Sequence, residues 1–505
     1  MSAASSPNGP LPGPETAAQK HPRALGYLLF TETWERFSFY GMKALLVLYL
    51  TKAFLFGDKE AYAVYGSYTA LLYATPVLGG LLADRLLGFR KAVLIGGVLM
   101  ALGHFAMTVA NLQVFYAALA LLICGNGLFK PNISSLVGRL YGADDPRRDS
   151  AFTIFYMGIN LGAFLAPIAC GFLGERLGWH WGFGLAGVGM LLSMFVFLRA
   201  QPLLLGLAEP PPRPHGRTAF AGLSLERWVY VGTLLSVLVA WQLVQHGALV
   251  GSLLGVFGAA VFLGLFVYML RLPQKAARDR LGVALLLSLV STVFWLFFEQ
   301  TGTSMSLFTD RNVDRSLFGQ LLPASLFQSV DSLFILLLAP LFGWLWLYLA
   351  RHRLEPNTPL KFALGIIQLG LGFAALYVGA ETSRRTGIVP MFWLILCYCL
   401  HATGELCLSP IGLSMVTKLA PKGLTGMLMG VWFLAYAFAQ YVAALIAQLT
   451  GVKASGADAA TLPKPSETLL VYGGVFGTIG WVALGFGALL VLASPLIARR
   501  MHGVR

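Results

Sequence analysis

Apolar runs of membrane-crossing length recur along the whole chain, separated by short polar breaks. They fall at 25–50, 63–83, 92–110, 113–137, 151–173, 178–198, 225–244, 248–270, 281–303, 321–349, 360–379, 388–417, 424–449 and 469–497. Each is close to the ~20 residues that a helix needs to cross a bilayer. The apolar positions are continuous rather than alternating, which argues against a transmembrane β-barrel. The pattern predicts an all-α polytopic membrane protein with fourteen spans.

Composition agrees. The hydrophobic fraction is 57% and the charged fraction 11%, where soluble chains carry roughly a quarter charged residues. The net charge of +14 would suit a nucleic-acid partner, but its distribution does not. Twenty-four of the thirty-six Lys and Arg residues fall in breaks on one side and nine on the other. This is the positive-inside bias, so both termini are expected in the cytoplasm and no nucleic acid is implied.

The order of runs is six, two, six. Residues 1–22 read as a disordered N-terminus, Pro-, Gly- and Ala-rich at its start, without the shape of a cleavable signal. Residues 23–200 form one six-helix bundle and 281–500 the other. Between them, 201–280 contain a Pro-rich link (Pro210, Pro211, Pro212, Pro214), a nearly uncharged hairpin and the basic link RLPQKAARDR. Residues 501–505 are a tail. Two bundles of equal count suggest a site between pseudo-equivalent halves. Pro76, Pro131, Pro167, Pro340 and Pro410 interrupt runs where helices can bend.

Against this background eight charges stand deep within the runs: Arg36, Lys43, Lys130, Glu32, Glu35, Glu299, Asp331 and Glu405. Each costs on the order of 3 kcal/mol at the bilayer centre, so together they mark a polar pathway for a charged substrate, protons or both. Glu32, Arg36, Phe39, Tyr40 and Lys43 share one helical face at i, i+4, i+7, i+8 and i+11. Glu32 and Arg36 can pair along the helix. Glu35 and Lys43 find no partner on that helix and require one across a cavity. The five cysteines lie inside runs, with no CxxC pair and no plausible metal set, and read as small packing residues. Metal and cofactor are therefore not expected. His401, one turn before Glu405, reads as a packed core histidine rather than a relay.

The segment ETWERFSFYGMKALLVLYL resembles the ExxERFxYY motif of the proton-coupled oligopeptide transporter family, within the major facilitator superfamily. GGLLADRLLGFRK (79–91), GNGLFKPNISSLVGRLY with DDPRRDSAFTIFYMGINLGAFLAP (125–167), FWLFFEQTG (294–302) and GELCLSPIGLSMVTKLAP (404–421) resemble further family signatures in the same order. The resemblance spans about residues 25–440 and implies the major facilitator fold, with the two extra helices of bacterial members. It also implies a non-enzymatic, proton-driven symporter of di- and tripeptides in the cell inner membrane, acting as a monomer. The alternative is a same-fold, proton-coupled carrier of a non-peptide organic anion or peptide-like drug.

The resemblance also distributes roles. Glu32, Glu35, Arg36, Lys130 and Glu299 serve proton coupling. A carboxylate beside Arg stays ionised, and a carboxylate that loses that partner takes up a proton more readily. Glu299 pairs with Lys43 across the halves as a gate. Glu405 takes the peptide ammonium while Arg36 and Lys130 take its carboxylate, a ruler for short zwitterions. Asn160 bonds the peptide backbone. Tyr40, Tyr73, Trp295, Ser409, Trp432 and Phe433 complete the substrate site. Asp84 and Arg85 form a structural latch. Two residues depart from the family pattern: Phe39 replaces a tyrosine, and Asp331 stands where an asparagine is usual. Asp331 is expected to be protonated or paired with a cation at rest.

One proton entering is worth about 2.3 kcal/mol per 100 mV and about 1.4 kcal/mol per pH unit. Together these support roughly a few hundred-fold accumulation at one proton per peptide. There is no GxxxxGK[ST] loop for ATP. A membrane enzyme would need a nucleophile–base pair or a metal set that the spans lack. A channel would need a repeated pore-lining ring.

Overall fold

The structure is a computed structural model that describes residues 20–142, 145, 147–209, 218–220, 223–421, 424–452 and 464–504. Residues 1–19 and the prolines 210, 211, 212 and 214 lie outside the described residues. The first six long helices are α1 (Arg23–Lys52), α2 (Asp58–Leu82), α3 (Phe89–Ala106), α4 (Leu112–Arg139), α5 (Arg147–Arg176) and α6 (Trp179–Ala200). The hairpin is α7 (Leu225–Gln245) and α8 (Gly247–Arg271). Then come α9 (Lys275–Phe298), α10 (Ser304–Asn312), α11 (Ser329–Arg351), α12 (Thr358–Thr382), α13 (Met391–Leu419), α14 (Thr425–Ala447) and α15 (Pro465–Arg500).

Thirteen helical segments among the described residues are long and apolar enough to cross a membrane. Helix α1 is of similar length but carries Glu32, Glu35, Arg36 and Lys43 in its middle. With it the crossings are fourteen, as the sequence predicts. Many large apolar side chains, such as Phe257 and Leu263 of α8, point outward, which suits a lipid surround.

Helix α1 packs on α5 and α6, α4 on α2 and α3, and α12 on α13 and α15, giving two bundles. They meet through α2 against α14 and α5 against α11. The hairpin lies outside this seam, α7 on α4 and α8 on α14. At the start of α5, the Asp145 carboxylate accepts the Arg147 backbone N–H at 2.9 Å. The Arg147 guanidinium hydrogen-bonds the same carboxylate and holds its pKa down to about 2. Arg147 also donates to the Lys20 carbonyl at 2.9 Å, tying the residues just before α1 to this end.

One run is not a single helix. The stretch expected at 281–303 begins at Lys275, breaks in a 3-10 turn at Glu299–Gly302, and resumes as α10. Side chains make the break tolerable: Gln300 donates to the Ala443 carbonyl at 2.9 Å and accepts from Ser304 at 2.7 Å. Irregular backbone at membrane depth persists where protein groups satisfy it. The turn places Glu299 at the seam.

Helices α2 and α4 touch backbone to backbone at Gly79. A Cβ there would lie 1.9 Å from the Gly127 carbonyl oxygen, whereas at Gly80 the nearest atom would be Pro131 Cβ at 3.6 Å. Small residues permit such close helix approach in membranes. Gly79→Ala is expected to cost about 1–3 kcal/mol, as overpacking does, and to lower the melting temperature in detergent. Gly80→Ala is expected to melt close to wild type. Equal melting of both variants would refute this packing account.

Candidate substrate and proton site

The charged face of α1 builds two separate constellations. The first is sealed. Glu32, Glu35 and Arg36 are each at most 1% exposed. Arg36 Nε lies 3.3 Å from Glu32 Oε1. The guanidinium also forks onto Glu35, through Nε–H to Oε2 and through Nη2–H to Oε1 at 2.6 Å. This corrects the expectation that Glu35 has no partner on its own helix: the long Arg side chain folds back on its neighbour. Asn126 of α4 donates to Glu35 at 3.4 Å. The guanidinium also sits 5.1 Å from the Phe39 ring centre. Glu32 Oε2 is buried with no hydrogen-bond partner among the described residues.

The second constellation surrounds a cavity of about 110 Å³ at the seam of the bundles. Its roof is the ion pair Lys43 Nζ–Glu299 Oε2 at 2.9 Å, which joins α1 to the turn after α9. Tyr436 of α14 donates to Glu299 Oε1 at 2.9 Å. Tyr73, Tyr436 and Trp295 form an aromatic chain with ring centres 4.5 and 4.7 Å apart. Glu405 of α13 receives the Tyr156 hydroxyl of α5 at 3.4 Å. Asn160, one turn after Tyr156, donates to its carbonyl at 3.0 Å.

Tyr40, Lys43, Tyr73, Asn160, Trp295, Glu299, Asp331 and Glu405 therefore share this cavity. Other candidates stand apart from its walls. Arg36 is engaged with its two carboxylates. Lys130 sits behind Tyr73, its Nζ 4.6 Å from the ring centre. Trp432 packs over Gly412 of α13, Phe433 is 37% exposed, and the buried Ser409 hydroxyl lies one turn beyond Glu405, beside its carboxylate. Asp331 lines the cavity, but its Oδ1 is buried without a hydrogen-bond partner. The expected cation partner is not seen, because Lys43 is taken by Glu299. His401 is fully buried between Phe298 and Phe373 and is a packed core residue.

Beyond the roof, at the end away from the termini, further contacts tie the bundles. Arg311 of α10 forks onto Asp58 of α2 at 2.7 and 2.8 Å. Lys52 meets Asp310 at 2.7 Å. Glu175 of α5 accepts the backbone N–H groups of Ala324 and Ser325 at 3.1 and 2.8 Å. The structure is thus a state closed at that end. Near the opposite end Asp84 lies 3.7 Å from Arg139, a contact within one bundle.

Sequence reasoning passed over Tyr156, Tyr398 and Tyr436, which also line or support this site. A tyrosine in an apolar run reads as core. The available signal was its hydroxyl, which a buried site must satisfy. Among the described residues no cluster of three His, Cys, Asp or Glu suits a metal ion.

The model of the POT family matches residues 90–461. The uncharacterized transporter YclF of Bacillus subtilis is 39% identical over 96% of both chains. The peptide transporter YePEPT of Yersinia enterocolitica is 37% identical over 84% of this chain and 87% of its own. A crystal structure of a single-residue variant of peptide transporter POT with alafosfalin superposes with TM-score 0.81 at 38% identity, covering 96% of each chain. A POT family transporter in complex with 5-aminolevulinic acid superposes with TM-score 0.80 at 31% identity, covering 94% of this chain and 97% of its own.

Proposed function

The chain belongs to the POT family, and from that premise we propose that it imports di- and tripeptides together with protons by alternating access. The Lys43–Glu299 pair at 2.9 Å carries this reading. It is a buried ion pair that closes the seam directly over a cavity holding Glu405. Protonation of Glu299 removes the attraction, leaves Lys43 uncompensated, and favours opening at that end. Glu405 is then the anchor for a peptide ammonium. Arg36 and Lys130 become available to a substrate carboxylate when the Glu32–Glu35–Arg36 cluster takes up a proton and the halves rearrange. With the termini in the cytoplasm, the state seen here is closed to the outside. The carrier works as a monomer in the inner membrane.

The chemistry of the cavity favours a substrate with an amino group over a plain organic anion. Its lining residues include Glu299, Asp331 and Glu405 but only one ammonium, Lys43, already paired. A peptide-like drug with a free amine fits the same constellation.

The test is uptake of labelled dialanine into proteoliposomes with an inward proton gradient and a negative interior. Gradient-driven accumulation is expected in wild type, with loss of at least about tenfold in Glu405→Gln, since a charged hydrogen-bond partner contributes about 1.5–3 kcal/mol. Glu32→Gln is expected to lose the gradient response. Acetylated dialanine, lacking the ammonium, is expected to be a poor substrate. No uptake of dialanine by folded, inserted protein, or equal uptake of the blocked peptide, would overturn the reading.

A further inference from the structure

The acid set of the cavity exceeds what a simple zwitterion needs. Glu299 has Lys43 and Tyr436. Glu405 has Tyr156 and one ammonium to receive. Asp331, on α11, lines the same space and keeps a buried carboxylate oxygen with no hydrogen-bond partner among the described residues. A buried, unpaired carboxylate oxygen is destabilising unless a bound group satisfies it. Formally the walls carry three carboxylates against one ammonium, which sets a negative potential in a space walled by aromatic rings.

We propose that Asp331 is a specificity-determining residue, a second cation anchor that makes this carrier prefer short peptides with a basic side chain. The substrate's α-ammonium goes to Glu405 and its side-chain ammonium or guanidinium to Asp331. Both carboxylates then have a charge partner, and the occupied cavity approaches neutrality. The inference rests on the peptide-symport reading and adds the substrate class. It also explains why α11 can carry an ionisable group at membrane depth, where an unpaired charge is costly.

The test is competition against labelled dialanine uptake in proteoliposomes by Ala-Lys and Lys-Ala. Their isosteres with norleucine, Ala-Nle and Nle-Ala, match the lysyl chain without its charge. In wild type at least one lysyl peptide is expected to compete about tenfold better than its norleucine isostere, the scale of one charge-assisted hydrogen bond. Asp331→Asn is expected to reduce that ratio to near unity, and Asp331→Glu to restore part of it. Each variant is checked for a single symmetric peak in gel filtration. If Asp331→Asn fails to fold, the conservative Asp331→Glu carries the test of the residue, and absence of the wild-type lysyl preference overturns the inference by itself. Dialanine uptake with no lysyl preference overturns the inference and leaves peptide symport standing. So does an unchanged ratio in folded Asp331→Asn. Absence of uptake of every peptide overturns both.

Discussion

Glu299→Gln is expected to open the end of the molecule that the structure shows closed. In wild type Lys43 is 7% and Glu299 2% exposed. Their bond spans α1 and the broken seventh helix of the core. Removing one partner of a buried ion pair typically costs about 3–5 kcal/mol, because the remaining charge is left without compensation. Glutamine keeps the volume and still accepts from Tyr436, so packing is nearly unchanged while the charge is gone. The closed state alone bears this loss. Its population relative to the state open at that end should therefore fall by roughly two to three and a half powers of ten. Spin labels at Glu60 and Ser316, both exposed and on opposite bundles, placed in a background without the native cysteines, report the change. Wild type should give mainly a short distance and Glu299→Gln mainly a longer one. Identical distributions would mean that the pair is not a gate. The same variant has lost the titratable group, so its uptake should no longer respond to an imposed pH gradient.

Arg36→Gln should be the most damaging single change to folding. It leaves Glu32 and Glu35 side by side, at most 1% exposed, with the Asn126 amide on Glu35 and the more distant Lys130 ammonium as the cation still acting on them. The penalty is again about 3–5 kcal/mol or more for uncompensated buried charge, a large part of any membrane protein's margin. The expected result is at least a tenfold drop in monodisperse protein after extraction. Replacing all three, Glu32→Gln with Glu35→Gln and Arg36→Gln, removes the charges together and should recover folded protein. It should not recover gradient-driven uptake. Folding without coupling in the triple variant separates electrostatic balance from the proton role. Normal yield of Arg36→Gln alone would contradict the account of this cluster.

Much of this was legible in the sequence, for physical reasons. A charge in an apolar run is costly, so Glu32, Arg36, Lys43, Glu299, Asp331 and Glu405 announced themselves, and helical spacing put the first three on one face. The Lys43–Glu299 pair joins positions 256 residues apart; spacing is silent there, and the expectation came from family resemblance. The break at Glu299–Gly302 was hidden because the polar residues after Phe294–Phe298 read as the end of a span rather than as a turn between two helices. The Asp58–Arg311 fork was missed for the opposite reason. Charges at run ends look like ordinary solvated residues, and only the fold shows Arg311 reaching across to the other bundle. The five separate tyrosine hydroxyls around the cavity, from Tyr40 to Tyr436, were half recognised, since aromatic packing and substrate contact have the same sequence signature.

The central claim is that peptide and proton move together. Proteoliposomes loaded with a pH-sensitive dye, held at equal internal and external pH with a negative interior potential, test it directly. Adding dialanine outside should acidify the lumen in wild type, and should not do so in Glu32→Gln or in empty liposomes. Dialanine entering with no accompanying acidification would contradict proton-coupled transport.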